Sequence, residues 1–262
     1  MPHLVHPEAT IHWVQDGDPK GRPVVLAHAL GLDLTVWDRV IPLLPPALRL
    51  IRYDLRGHGG SACPAPPYRM GALVSDAERL LDALSVRDAV FVGLSIGGMI
   101  AQGLAVKRLD QVRGMVLSNS AAKSGTEATW AARIDIVRKG GIEAAAPAIL
   151  DRWFGRAGLA TPAAAEMREL LLTCREDGYM GCAAAIAGTD FYETTATLTL
   201  PTLAIAGAND GSTPPDLVRE TADLIKGARF ELIRGAGHLP PVDRPEDFAR
   251  LLTGFLVAIG HV

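Results

Sequence analysis

One serine in the chain is set for nucleophilic chemistry. In FVGLSIGGMIAQGLA (Phe91–Ala105) an apolar run stops at Gly93-Leu94-Ser95-Ile96-Gly97-Gly98 and then resumes with helical spacing. At a switch from strand to helix, a sharp turn throws the serine hydroxyl out at the strand's C-terminal edge. Small residues two before and two after it avoid clashes in that strained backbone. A lone G-x-S-x-G also arises by chance, and serine before a helix is often only an N-cap, so the partners decide. A serine hydroxyl is a poor nucleophile until a base takes its proton and a third group fixes the base's tautomer. His238 in RGAGHLPPVDRPEDF and Asp210 in AIAGANDGSTPP supply both types, each just after an apolar run. Asn209-Asp210-Gly211 is at the same time a strong turn signal. His3, His6, His12 and His261 lie near the termini and read as incidental; His58, in RGHGGS, reads as a loop-shaping residue. Two backbone donors complete the constellation for a developing oxyanion: the N–H of Ile96, after the serine, and that of Leu30 in the loop HALG (His28–Gly31).

These residues need a frame that gathers strand ends. Six runs rich in Val, Ile or Leu each finish in Gly, Asn, Asp, Ser or His: PVVLAHAL, LRLIRYDLRG, DAVFVGLS, VRGMVLSNS, PTLAIAGAND and ARFELIRGAGH. Buried parallel strands feeding loops read this way, and their alternation with helical stretches implies an α/β fold with a mostly parallel central sheet flanked by helices. Open sheets of this kind build their sites at the C-terminal strand edges. The rhythm breaks over residues 121–199, where only helical pieces occur: TWAARIDIVRKGG, IEAAAPAILDRWFG, PAAAEMRELLLTCRED and YMGCAAAIAGTDFY. The division expected is a core of residues 1–120 and 200–262, with 121–199 inserted as a helical cap over one end of the sheet.

Composition narrows the partners. The 262 residues hold 26 Lys and Arg against 29 acids, a net charge of −3, which gives no reason to expect nucleic acid or an anionic membrane. Cys63, Cys174 and Cys182 lack metal-ligand spacing and read as free thiols in a reducing compartment. The N-terminus has no basic-then-apolar leader, and no apolar run reaches the roughly 18 residues of a membrane span. A cytoplasmic protein acting on a small molecule, without metal or cofactor, is expected; the sequence specifies no oligomeric state.

In the order HALG, YDLRGHGGS, GLSIGG, GANDGSTPP and GAGHLPPVDRPEDF, the chain resembles the α/β-hydrolase superfamily, whose triad runs Ser, Asp, His along the chain. A finer match is to the 3-oxoadipate enol-lactonases of aromatic degradation, the β-ketoadipate pathway. It rests on LGLDLTVWD, GLSIGGMIAQ, NSAAKSGTEATWAARIDIVRKGGIEA, DRWF, GYMGCAAAIAGTDF and AGHLPPVDRPEDF, and so reaches into the insertion. His28-Ala29 stands where that family often has Asn-Ser, Leu32 where a small polar residue is expected, and Phe191-Tyr192 where relatives are less aromatic. The resemblance implies cleavage of an enol-lactone that carries a free carboxylate. A buried charge needs a partner. Arg133, with Trp130 three residues earlier on the same helical face, is the first candidate, and Arg152 with Trp153 the second; each also fits a solvated charge beside core packing. The same triad serves broader carboxylesterases and lactonases, haloperoxidase-like perhydrolases, carbon–carbon hydrolases and, in another class, ligand sensors.

Overall fold

The computed structural model describes residues 2–262, except the side chain of Ala157. Along the chain run β1 (His3–His6), β2 (Ala9–Gly17), β3 (Pro23–Ala27), β4 (Arg49–Tyr53), α1 (Met70–Ala83), β5 (Ala89–Leu94), α2 (Ile96–Lys107) and β6 (Val112–Ser118). A strand-free stretch follows: α3 (Glu127–Gly158), α4 (Pro162–Leu172), α5 (Glu176–Ala187) and α6 (Tyr192–Ala196). The chain closes with β7 (Thr202–Gly207), α7 (Pro215–Leu224), β8 (Arg229–Ile233), α8 (Pro240–Asp243) and α9 (Pro245–Ala258).

The described residues form one eight-stranded sheet in the order β1-β2-β4-β3-β5-β6-β7-β8. From β4 through β8 every pairing is parallel, as the alternating sequence pattern requires, whereas β1 and β2 add an antiparallel edge. The inner strands β5 (AVFVGL) and β7 (TLAIAG) are buried throughout, which is why they read as unbroken apolar runs. By contrast β2, ATIHWVQDG, is half exposed and mixes His, Gln and Asp into its run, so hydrophobicity alone does not single it out. Register lines up the strand ends: Ala27 pairs with Gly93, Gly93 with Leu117, Ser118 with Ile205, and Gly207 with Ile233. The residues just beyond those ends therefore share one edge of the sheet.

Between β6 and β7, α3 packs on α4 and α5, while α6 leans on α2 and α7. Gly141, at φ 71° and ψ −178°, breaks α3, a left-handed geometry that glycine adopts without a Cβ penalty. The break falls where the sequence pattern divides the first two helical pieces. YMGCAAAIAGTDFY, expected as one helical piece, is helical only through Ala187: α5 stops before Gly188, and α6 starts at the last residue of the piece, Tyr192. The turn between them is held by side chains that compete with helix continuation. The Thr189 hydroxyl donates to Ala185 O (2.6 Å), and Asp190 Oδ1 accepts from Tyr192 N–H (3.3 Å).

The histidines near the termini are not incidental to the fold. His12, buried in β2, donates from Nδ1 to Asp54 Oδ2 (2.6 Å), and His6 Nε2 lies 3.0 Å from Asp76 Oδ1. Burial in an antiparallel edge the sequence pattern does not reveal is what gives them these partners. No helix among the described residues is long and apolar enough to cross a membrane.

Candidate active site

Ser95 sits between the end of β5 and the start of α2 at φ 56° and ψ −116°, a backbone state rare for a residue with a side chain. Its N–H donates to Ser118 O (2.9 Å), and its own carbonyl accepts from the Ser120 hydroxyl (2.7 Å), so the end of neighbouring β6 and the residues just after it grip both sides of the turn. The flanking glycines are demanded by contact. A Cβ on Gly93 would lie 2.2 Å from Gly97 C and O, and one on Gly97 would lie 2.4 Å from Ala27 O.

Past β7 and β8, His238 Nδ1–H donates to Asp210 Oδ2 at 2.8 Å, both groups being buried. With that proton committed, the free-base imidazole presents Nε2 bare, the form that accepts a proton. Asp210 is itself held on every side. Its Oδ1 accepts from the N–H groups of Ser212 (2.7 Å) and Thr213 (3.0 Å), and its Oδ2 also accepts from Asn119 Nδ2 (2.7 Å). Asn119 follows β6 at φ 48°, donates a second bond to Gly237 O (3.2 Å), and so ties the carboxylate to the residue before His238. Sequence reasoning missed Asn119; an Asn closing an apolar strand, a residue tolerant of positive φ, was the available signal.

The loop after β3 is braced by two buried imidazoles. His58 Nε2 accepts from Gly31 N–H (3.0 Å) and its Nδ1–H donates to Arg56 O (3.2 Å). His28 Nε2 accepts from Leu55 N–H (2.9 Å), and its Nδ1–H donates to Ala29 O (2.7 Å). Both are neutral. Burial lowers each, and His58, with the nearby His28 adding to the effect, falls to about 3. Leu30 N–H thus belongs to a loop fixed from behind at both neighbours. Ile96 N–H opens α2 and is one of the donors a helix cannot satisfy internally.

A pocket opens on this edge and is lined by Ser95, His238, Leu30 and Ile96. Its other wall comes from the strand-free stretch and brings in Trp130, Arg133 and Trp153, so every candidate except Asp210, which lies behind His238, faces one cavity. Arg133 lies 4.5 Å from the centre of the Trp130 ring, whose Nε1–H donates to Ser124 O (2.6 Å). Arg152 and Tyr179 also line the wall. Burial, and then the like charge of Arg152, hold Arg133 below its ordinary value, though a guanidinium stays protonated. Tyr179, which sequence reasoning did not single out, is pushed up to about 12 by burial despite both arginines. The backbone joins the two walls: Gly211 N–H donates to Arg152 O (2.9 Å) and His238 N–H to Trp153 O (2.7 Å).

Comparison with known proteins places the chain among hydrolases of this fold. Residues 24–251 match the alpha/beta hydrolase family. A 3-oxoadipate enol-lactonase of Acinetobacter baylyi is 30% identical over 247 residues, covering 94% of this chain and 92% of the relative. The crystal structure of an enol-lactonase from Burkholderia xenovorans superposes with a TM-score of 0.94 at 31% identity, over 98% of this chain and all of that one. A hydrolase from Pseudomonas aeruginosa does so with a TM-score of 0.93 at 35% identity, over 97% of both chains.

Proposed function

The chain belongs to the alpha/beta hydrolase family, and on that premise we propose that this ester hydrolase opens a small carboxylate-bearing enol-lactone, 3-oxoadipate enol-lactone, to 3-oxoadipate. The observation that carries the reading is Arg133, a partly buried cation on the wall of the Ser95 pocket. A neutral ester has no use for it; a lactone with a free carboxylate does.

In the proposed sequence, His238 Nε2 takes the Ser95 proton as Oγ attacks the lactone carbonyl, and the oxyanion draws on the N–H groups of Ile96 and Leu30. Asp210 stabilises the imidazolium without taking its proton. Collapse expels the ring oxygen as an enolate, which takes the proton from His238 to give the enol, and the enol then tautomerises to the ketone. Water, giving a proton to the same histidine, then releases the acid from Ser95. An enol is a better leaving group than a simple alkoxide, so no Lewis acid is required. The relatives' names and the match in the strand-free stretch support this substrate over other esters; residues 121–199 serve as the cap, and the three free cysteines suit a cytoplasmic setting.

A broader esterase is favoured by one feature, the aromatic wall of Trp130, Trp153 and Tyr179, which accepts neutral acyl groups equally well. Loss of the conjugated enol-lactone absorbance, followed with purified wild type and with Ser95→Ala, separates the two. Turnover that stops in the variant is expected. Turnover that persists in Ser95→Ala overturns the mechanism, and a wild type that cleaves only neutral aryl esters overturns the substrate.

A further inference from the structure

Other buried or half-buried guanidiniums among the described residues find an acceptor: Arg52 on Asp16 and Asp38, Arg56 on Asp76, Arg108 on Asp82 and Asp110, while Arg49 bonds Gln15 Oε1 and Arg113 the Ile259 carbonyl. Arg133 and Arg152, both only partly exposed, have no carboxylate within 4 Å and no side-chain hydrogen bond among the described residues. They line the same pocket and sense each other, since Arg152 depresses Arg133 and both oppose the upward push of burial on Tyr179. Two like charges left unpaired in one narrow cavity cost stability unless an anion comes to them.

Their placements differ. Arg133 lies before the Gly141 break and is stacked on Trp130. Arg152 lies after the break, where its own carbonyl and that of Trp153 hold Gly211 and His238, so it belongs to the end of the pocket that carries the base. A lactone with one carboxylate needs one of them. Hydrolysis makes a second carboxylate, from the carbonyl that Ser95 attacks.

We propose that Arg133 and Arg152 form two separate anion subsites, so that the Ser95 pocket binds dicarboxylates as a chelate and holds its own dicarboxylate product more tightly than any monoanion. The inference rests on the Ser95 pocket being the substrate site, and its product-binding part on the cleaved ester carrying a carboxylate; the pairing of the two subsites does not depend on which ester is cleaved. The ring carboxylate occupies one arginine throughout, and the carboxylate released from Ser95 moves to the other. Product inhibition by dicarboxylates follows.

The test uses adipate and hexanoate, which share a six-carbon chain and differ by one carboxylate. Each is titrated calorimetrically into the Ser95→Ala protein and used as an inhibitor of 4-nitrophenyl acetate hydrolysis by wild type. Adipate is expected to bind roughly 10- to 100-fold more tightly, the contribution of one further charge-assisted pair. Arg133→Gln and Arg152→Gln should each bring the adipate/hexanoate ratio down to within about threefold, and Arg152→Lys should restore part of it, because a charge without the fork remains. Equal binding of the two acids by the Ser95→Ala protein overturns the proposal even if no arginine variant folds. So does a ratio that Arg152→Gln leaves unchanged. The enol-lactone assay is read separately. A preference for adipate without lactone turnover removes the lactone and leaves the paired subsites; lactone turnover with a ratio of one does the reverse.

Discussion

Asn119 provides the sharpest test of how the candidate acid is held. Replacing it with Ala removes the 2.7 Å bond to Asp210 Oδ2 and the 3.2 Å bond to Gly237 O, both inside a buried network. Losing a hydrogen bond to a buried carboxylate costs about 1.5–3 kcal/mol. Alanine must also hold φ 48°, a further ~1 kcal/mol that Asn tolerates better and glycine escapes. Asn119→Ala should therefore lose about 3 kcal/mol of unfolding free energy and Asn119→Gly about 2 kcal/mol. Activity should follow a different rule. In both variants Asp210 keeps the two N–H donors on Oδ1 and loses one constraint on the oxygen that orients His238. An equal fall in kcat of about 10-fold, with KM nearly unchanged, is expected for the pair, matching ~1.4 kcal/mol of lost transition-state stabilisation. Urea unfolding and steady-state hydrolysis of one aryl ester measure both quantities. Wild-type kcat in the glycine variant would refute the orienting role, and kcat values that track the stability difference between the two variants would reduce Asn119 to a folding residue.

Three more outcomes follow from the same geometry. Because His58 is neutral when folded, at about 3 against an ordinary 6.5, the unfolded chain takes up its proton first and stability falls as pH drops between those values. His58→Gln should make the fall of urea-unfolding free energy between pH 6 and pH 4 shallower by about 1.4 kcal/mol per pH unit; an unchanged slope contradicts a buried neutral imidazole. Asp243, raised by burial from 3.8 to about 6, adds stability at low pH that disappears as pH rises through 6, so Asp243→Asn, which keeps an acceptor for Gly237 N–H, should be more stable than wild type by about 1–3 kcal/mol at pH 8 and show little gain at pH 4. A gain independent of pH would count against burial as the cause. Gly97→Ala should cost at least about 3 kcal/mol or prevent soluble expression, since the new methyl meets backbone that cannot yield; a variant with the wild-type urea midpoint would disprove that close contact.

What the sequence made legible were features carried by local pattern. The inner parallel strands β5 and β7 announce themselves because burial on both faces leaves only apolar residues, and Ser95 and Asp210 stand out because each follows such a run, as His238 follows the apolar-rich run of β8. The Gly141 break was equally readable, since the Gly140-Gly141 pair punctuates the helical pattern there. The edge strands β1 and β2 were not, because their exposed faces dilute the hydrophobic signal, and the partners of His6 and His12 depended on them. Asn119 escaped for another reason: its bond to Asp210 spans 91 residues and exists only once β6 and β7 pair. Likewise, the unpaired state of Arg133 and Arg152 is a statement about what is absent around them, which no spacing along the chain encodes.

The two carbonyls that reach from the end of α3 to Gly211 and His238 belong to the main chain. A peptide carbonyl is the same in every residue. The fastening between the strand-free stretch and the loop of the base is thus indifferent to which side chains the stretch carries, and its inner wall can be rewritten position by position without loosening His238. On the proposed reading, substrate selection and bond cleavage are mechanically one body but mutationally separable, which would make the wall from Trp130 to Trp153 the place where a lineage, or an engineer, could change what is accepted while leaving untouched how it is cut.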